Sequence, residues 1–190
     1  AGEAEALKVG RAVARALAYC QRQSVAHRDI KPQNIFRTQD GRYKLGDFGI
    51  ARRLDAEITL TRTAKSEFTP LYAAPEVLLQ KDINPYRADI YSLGLVLYRM
   101  LNDGVMPFGP CGQEDLLEKR RSAGEAPPPA HASRPMRAVL WKALRHGTQD
   151  RYASAEQMLE DLEAVEGGRS PSVLAAFDAF EGGALLAGGE

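Results

Sequence analysis

His27-Arg28-Asp29-Ile30-Lys31-Pro32-Gln33-Asn34 places a carboxylate, an ammonium group and a carboxamide within one short loop, and Asp47-Phe48-Gly49 and Ala74-Pro75-Glu76 follow it in order. Upstream of the loop, residues 4–23 carry Leu7, Val13, Ala16, Leu17 and Cys20 near helical spacing in an Ala-rich context, which predicts an amphipathic helix. Downstream, 34–37 and 43–45 read as strands. Asp40-Gly41 between them is a hairpin signal, because glycine supplies positive φ without strain. The loop therefore hangs between a helix and a hairpin, with Asp47 just past the second strand. Taken alone, Asp29, Asn34 or Asp47 reads as a turn residue bonding its own backbone; the ordered set points beyond that.

The rest of the chain reads as mostly helical. Residues 52–69 are polar, Thr-rich and aperiodic, which predicts a loop. A short helix is expected from Pro75. A long one over 86–101 is apolar on most faces, so it belongs in the middle of the unit. Pro127-Pro128-Pro129 interrupts the chain before a helix over 134–145. Ser154 with Gln157 three residues on reads as a capping box for the next helix, closed by Gly167-Gly168. Ser170-Pro171 opens a final segment bearing Val173, Leu174, Phe177 and Phe180.

Composition narrows the function classes. Of 190 residues, 44 % are hydrophobic and 26 % charged, as in a globular domain, and Lys plus Arg balances Asp plus Glu. That balance argues against tracking a phosphate backbone, so no nucleic acid is expected as partner. Two distant cysteines, Cys20 and Cys111, fit no metal or redox spacing and suit a reducing compartment. The apolar run 93–101 is too short to cross a bilayer, and the first residues lack the basic start of a signal peptide. The expected location is cytoplasmic.

The three ordered motifs resemble those of eukaryotic-type serine/threonine protein kinases. The Ala- and Arg-rich style, with HRDIKPQN and DFGIAR, resembles bacterial members. The resemblance covers about 4–165 and implies a mainly α kinase-like C-terminal lobe over 1–166, its small β-hairpin carrying the catalytic and metal-binding loops. Residues 167–190 form a tail or linker with room for a short helix. Nothing before the first helix offers a Gly-rich phosphate-covering loop, a strand lysine or its glutamate partner, so the N-terminal β lobe is expected to be absent. Two expectations follow: weak ATP binding with little or no turnover by these residues alone, and self-association through an exposed apolar cleft.

By the same resemblance, Asp29 is the base that orients the acceptor hydroxyl, and Lys31 the cation that offsets charge on the transferred phosphoryl group. Asn34 and Asp47 are the ligands of two Mg2+ ions that accompany ATP. Lysine at position 31 favours serine/threonine over tyrosine acceptors. Phe36 would lie on the floor of the adenine pocket, above Val96 and Met100. His27 would be structural, stacked on Phe48 and tethered to Asp89, and Glu76 would pair with Arg151. Arg28 would bind a phosphate on the activation segment, with Thr61 or Thr63 as acceptor and Thr59 and Ser66 as others in reach. Thr69 would close on Asp29 and Lys31, and Thr69-Pro70-Leu71-Tyr72 would shape the pocket beside the phosphoacceptor. Phe68 departs from the family, which has glycine there. Protein substrates are the implied partners. A second reading keeps the scaffold and drops the chemistry: a non-catalytic binding or regulatory module.

Overall fold

The computed structural model of the chain describes residues 2–48, 52–53, 70–122 and 124–187. Its centre is the helix predicted from apolar content, α3 (Pro85–Met100), in which Ile90, Leu93, Leu95 and Leu97 are fully buried. Asn84 caps it by accepting from the Arg87 amide, and Pro85 stands at the first turn, where a missing N–H costs nothing. Against α3 pack α1 (Glu3–Arg22), α5 (Arg134–Ala143) and α6 (Ala155–Glu166). Gly10 marks the closest approach: a Cβ there would stand 3.0 Å from Leu97 Cδ1 and 3.2 Å from Leu162 Cδ1. On the surface, α1 and α6 are joined by Arg11–Glu166, Arg15–Glu163 at 2.7 Å and Arg22–Glu156 at 2.9 Å. Such exposed pairs contribute at most about 1 kcal/mol each, so burial of the α1–α3–α6 seam holds the unit together.

Two antiparallel ribbons sit at one end. β2 (Ile35–Arg37) pairs with β3 (Tyr43–Leu45), and Gly41 turns between them at φ 79°, as the hairpin signal predicts. β1 (Val25–Ala26) pairs with β4 (Arg52–Arg53), so the loop expected from residue 52 begins instead with a strand. The mostly helical lobe with a small hairpin agrees with the fold class read from the sequence. One helix, α4 (Gln113–Ser122), has no counterpart in that reading. The capping box is also modified. Ser154 accepts from the Gln157 amide as expected, but the Gln157 side chain reaches back to the Ala153 amide, one residue earlier.

After α2 (Pro75–Leu79) and the helices above, the chain continues past Gly167 into α7 (Leu174–Ala187), which packs on α5. Phe177 is buried, and the Phe177 and Phe180 rings lie 5.7 and 5.4 Å from the Trp141 ring. Arg134 binds Asp178 and Glu181 from below. Buried Asp161 fastens the approach to α7: one carboxylate oxygen accepts from the Ser172 amide, the other from the Tyr152 and Ser172 hydroxyls. Asp161→Asn exchanges an acceptor for a donor facing donors, and is expected to cost about 1–3 kcal/mol. Urea unfolding followed by Trp141 fluorescence measures it; an unchanged midpoint would show that Asp161 is not the fastener.

Candidate active site

The quoted loop leaves β1 and is pinned from beneath by α3. Asp89, buried in the first turns of that helix, accepts from the His27 and Arg28 amides, both at 2.7 Å. Those two bonds hold Arg28 at φ 66°, in the left-handed region that non-glycine residues avoid. Asp47 sits there too, at φ 54°. Both motifs thus contain a strained residue, as over-determined functional loops often do.

His27 joins the two loops. Its Nδ1 accepts from the Asp29 amide at 3.2 Å, so Nε2 carries the proton and donates to the Gly46 carbonyl at 3.0 Å. Its ring meets Phe48 edge-on at 4.7 Å. With no exposed surface, the imidazole is held below its usual value by burial, and the neutral form suits both bonds. Backbone continues the link, because the Gly46 amide donates to the Asn34 carbonyl at 2.9 Å. Gly46 was not singled out from the sequence. A Cβ there would come within 2.7 Å of the Phe36 ring, so a side chain at this position would push that half-exposed ring aside. Its place between the strand and Asp47 was the available signal.

Within the loop, Lys31 Nζ lies 3.0 Å from Asp29 Oδ2. Asn34, buried in the 3-10 turn Pro32–Asn34, gives Nδ2 to the Asp29 carbonyl at 2.7 Å and to Asp29 Oδ2 at 3.0 Å. The Asp29 carboxylate therefore has an ammonium and an amide fixed on it, and the Asn34 Nδ2 is committed to donation. Oδ1 is then that amide's remaining acceptor, an oxygen of the kind a hard cation takes. Phe36 and Phe48 are 53 % and 43 % exposed, giving the site an apolar, open side. Of the two residues expected below Phe36, Val96 is buried and Met100 packs on the core.

Glu76, on the helix that follows residues 70–74, and Arg151, just after the 3-10 turn Thr148–Asp150, form a buried bidentate pair at 2.7 and 2.8 Å. Gly49, Thr59, Thr61, Thr63, Ser66, Phe68 and Thr69 lie outside the described residues.

Burial pushes the Asp89 carboxyl up to about 7, against the two amides and Arg28, which pull it down. A raised acid binds its proton more tightly folded than unfolded, so its contribution is complete below about pH 4 and is lost as pH rises through about 7. Buried His27 works oppositely: the unfolded chain takes up its proton first, and stability rises with pH toward 6.5. Between about pH 6.5 and 7.5 the His27 contribution is still rising as the unfolded imidazole gives up its proton, while that of Asp89 falls more steeply. The net change should be a fall of roughly 0.3 kcal/mol, and Asp89→Asn should turn it into a slight rise. Denaturant midpoints at these pH values test it; an equal slope in the variant would show that Asp89 does not titrate there.

Comparison with known proteins agrees with this geometry. The family model described as protein kinase domain matches residues 1–162. A probable serine/threonine-protein kinase of Clostridium perfringens is 33 % identical over 171 residues, covering 88 % of this chain and 24 % of that protein. One from Streptomyces coelicolor is 34 % identical over 180 residues, covering 93 % and 26 %. Serine/threonine-protein kinase PknB of Mycobacterium leprae is 32 % identical over 190 residues, covering 97 % and 30 %. The chain spans about a quarter of the length of these relatives. With the family model matched over most of its residues and the motif loops joined through His27, this chain belongs to the protein kinase domain family.

Proposed function

We propose that this chain is the larger lobe of a serine/threonine protein kinase that moves the γ-phosphoryl group of Mg-ATP to hydroxyls of proteins, its own activation segment among them. The observation that carries the reading is Asp29 held between Lys31 and Asn34 in one loop. Asp29 orients the acceptor hydroxyl and takes its proton. Lys31, already beside that carboxylate, presents positive charge where the phosphoryl group passes.

Asn34 and Asp47 would hold Mg2+. Among the described residues no cluster of three or more His, Cys, Asp or Glu could hold a metal. A two-residue oxygen set fits an ion that takes its other ligands from phosphates and water. When bound, the ions neutralise charge on the phosphates. Phe36 and Phe48 offer an apolar face to the base and, uncovered, a surface for self-association. Arg28, whose Nε is buried without a hydrogen-bond partner, is suited to receive a phosphate on Thr61 or Thr63. No described helix is long and apolar enough to cross a membrane. A cytoplasmic setting is proposed on the two free cysteines, Cys20 and Cys111, which suit a reducing compartment.

These 190 residues alone are expected to bind Mg-ATP weakly, since they carry no Gly-rich loop to cover its phosphates. The deciding experiment counts phosphate by intact mass after incubation with Mg-ATP and a generic basic protein. It compares the chain alone with the chain joined to an amino-terminal lobe of a similar kinase. Transfer by the joined form supports the enzyme; nucleotide or protein binding with no transfer supports a regulatory module instead.

A further inference from the structure

Among the described residues two arginines are almost wholly buried, and they are partnered in opposite ways. All five N–H donors of Arg151 are used, on Glu76 and on the carbonyls of Arg87, Arg145 and His146. Arg120, 1 % exposed, has no carboxylate partner among the described residues. Its Nη1 donates to the carbonyls of Leu71 at 2.8 Å, Ala73 at 3.1 Å and Pro70 at 3.4 Å, while Nε and Nη2 are buried without partners. Burying a cation and leaving donors unmade is costly. An apolar side chain would fill the same place without that cost, so what the guanidinium contributes must be its grip on the three carbonyls.

Those carbonyls belong to a short segment whose Tyr72 side chain is buried in the core but whose backbone lies outside any helix or sheet ladder. Pro70–Tyr72 is a single 3-10 turn, closed by the Ala73 amide on the Pro70 carbonyl. Its remaining carbonyl, Tyr72, accepts from the Ser92 hydroxyl of α3 at 2.7 Å, and the Tyr72 hydroxyl accepts from Arg99 at 2.7 Å. The turn is therefore held by side chains beneath it, and Arg120 takes three of its four carbonyls. Arg120 and Leu116 are also the buried residues of α4, a helix otherwise polar apart from half-buried Leu117.

We propose that Arg120 is the positioning residue for the acceptor side of the site: it clamps Pro70–Ala73 at the carbonyls and so sets affinity for the protein acceptor without touching ATP. This rests on the kinase reading above.

The test uses Arg120→Met, which keeps length and burial, and Arg120→Lys, which keeps the charge but not the fork. In the 190-residue chain, amide exchange at Ala73 should speed up about tenfold in Arg120→Met and less in Arg120→Lys, while the melting temperature stays level or rises. In the form joined to an amino-terminal lobe, KM for a generic basic protein should rise about tenfold in Arg120→Met, with kcat and KM for ATP within twofold and Arg120→Lys recovering part of the loss. A purely structural arginine would lower the melting temperature and leave this KM split absent. Unchanged Ala73 exchange overturns the clamp, and a fall in kcat with unchanged KM overturns the acceptor role. No transfer by the unsubstituted joined form overturns the kinase reading itself, and the acceptor role with it, while the exchange result still decides whether the clamp exists.

Discussion

Asp29→Asn, in the form joined to an amino-terminal lobe, is expected to lower kcat by about 10²–10⁴-fold, the range for losing a positioned general base. The substitution keeps the shape of the side chain, and the loop has independent anchors: the Asp29 amide on His27 Nδ1, the Asp29 carbonyl on Asn34, and Asp89 beneath. KM for ATP and the melting temperature should therefore move little, and the loss should fall on the chemical step. What disappears is the negative oxygen that accepts from Asn34 and faces Lys31 at 3.0 Å. Lys31→Met tests the neighbouring role, with a smaller expected loss because, on the proposed reading, bound Mg2+ would still neutralise phosphate charge. Single-turnover transfer with both variants makes the comparison. A reduction below tenfold for Asp29→Asn would mean that proton removal is not assisted at this residue, and the roles assigned around it would have to be redrawn.

Elements whose apolar spacing settles their own conformation were legible in the sequence. α3 is apolar nearly all round and had to be central, and Asp40-Gly41 set the hairpin register from local backbone preference alone. α4 was not legible because it buries only Leu116 and Arg120, and its residues Glu114, Asp115, Lys119 and Arg121 leave no apolar stripe to read. β4 failed for a related reason: Arg-Arg carries no strand pattern, and its partner Val25–Ala26 is far away in the chain. At the site, the motif residues were visible as motif residues, but their means of support were not. That Asp89 grips two successive amides, and that Gly46 lies against the Phe36 ring, depends on contacts between separate segments. Sequence spacing marks the motif residues; burial and backbone geometry decide what holds them in place.

Arg151→Ala is expected to destabilise the chain by about 3–5 kcal/mol, the cost of leaving one member of a buried ion pair alone. Glu76 is nearly buried and Arg151 fully so, leaving water no route to resolvate the orphaned carboxylate. Arg151 also stacks on Tyr91 at 4.6 Å and ties down three carbonyls, so truncation removes packing and hydrogen bonds as well as charge. Against a total stability of about 5–15 kcal/mol for a domain, that loss is a large share. At about 2–4 °C per kcal/mol for this size, it lowers the melting temperature by about 10 °C. The pair Glu76→Leu with Arg151→Met should cost less than Arg151→Ala alone, since neither charge then remains to be buried unpaired. That ordering separates the ion pair from simple packing, which would make the double variant worse than either single one. Arg151→Lys should fall between, because an ammonium cannot meet both carboxylate oxygens in parallel. Since Glu76 lies on α2, directly after the turn that Arg120 grips, loosening the pair should also free that turn. A fall in Ala73 amide protection in Arg151→Ala would trace the connection, and an unchanged melting temperature would remove the pair from the account of what holds this lobe together.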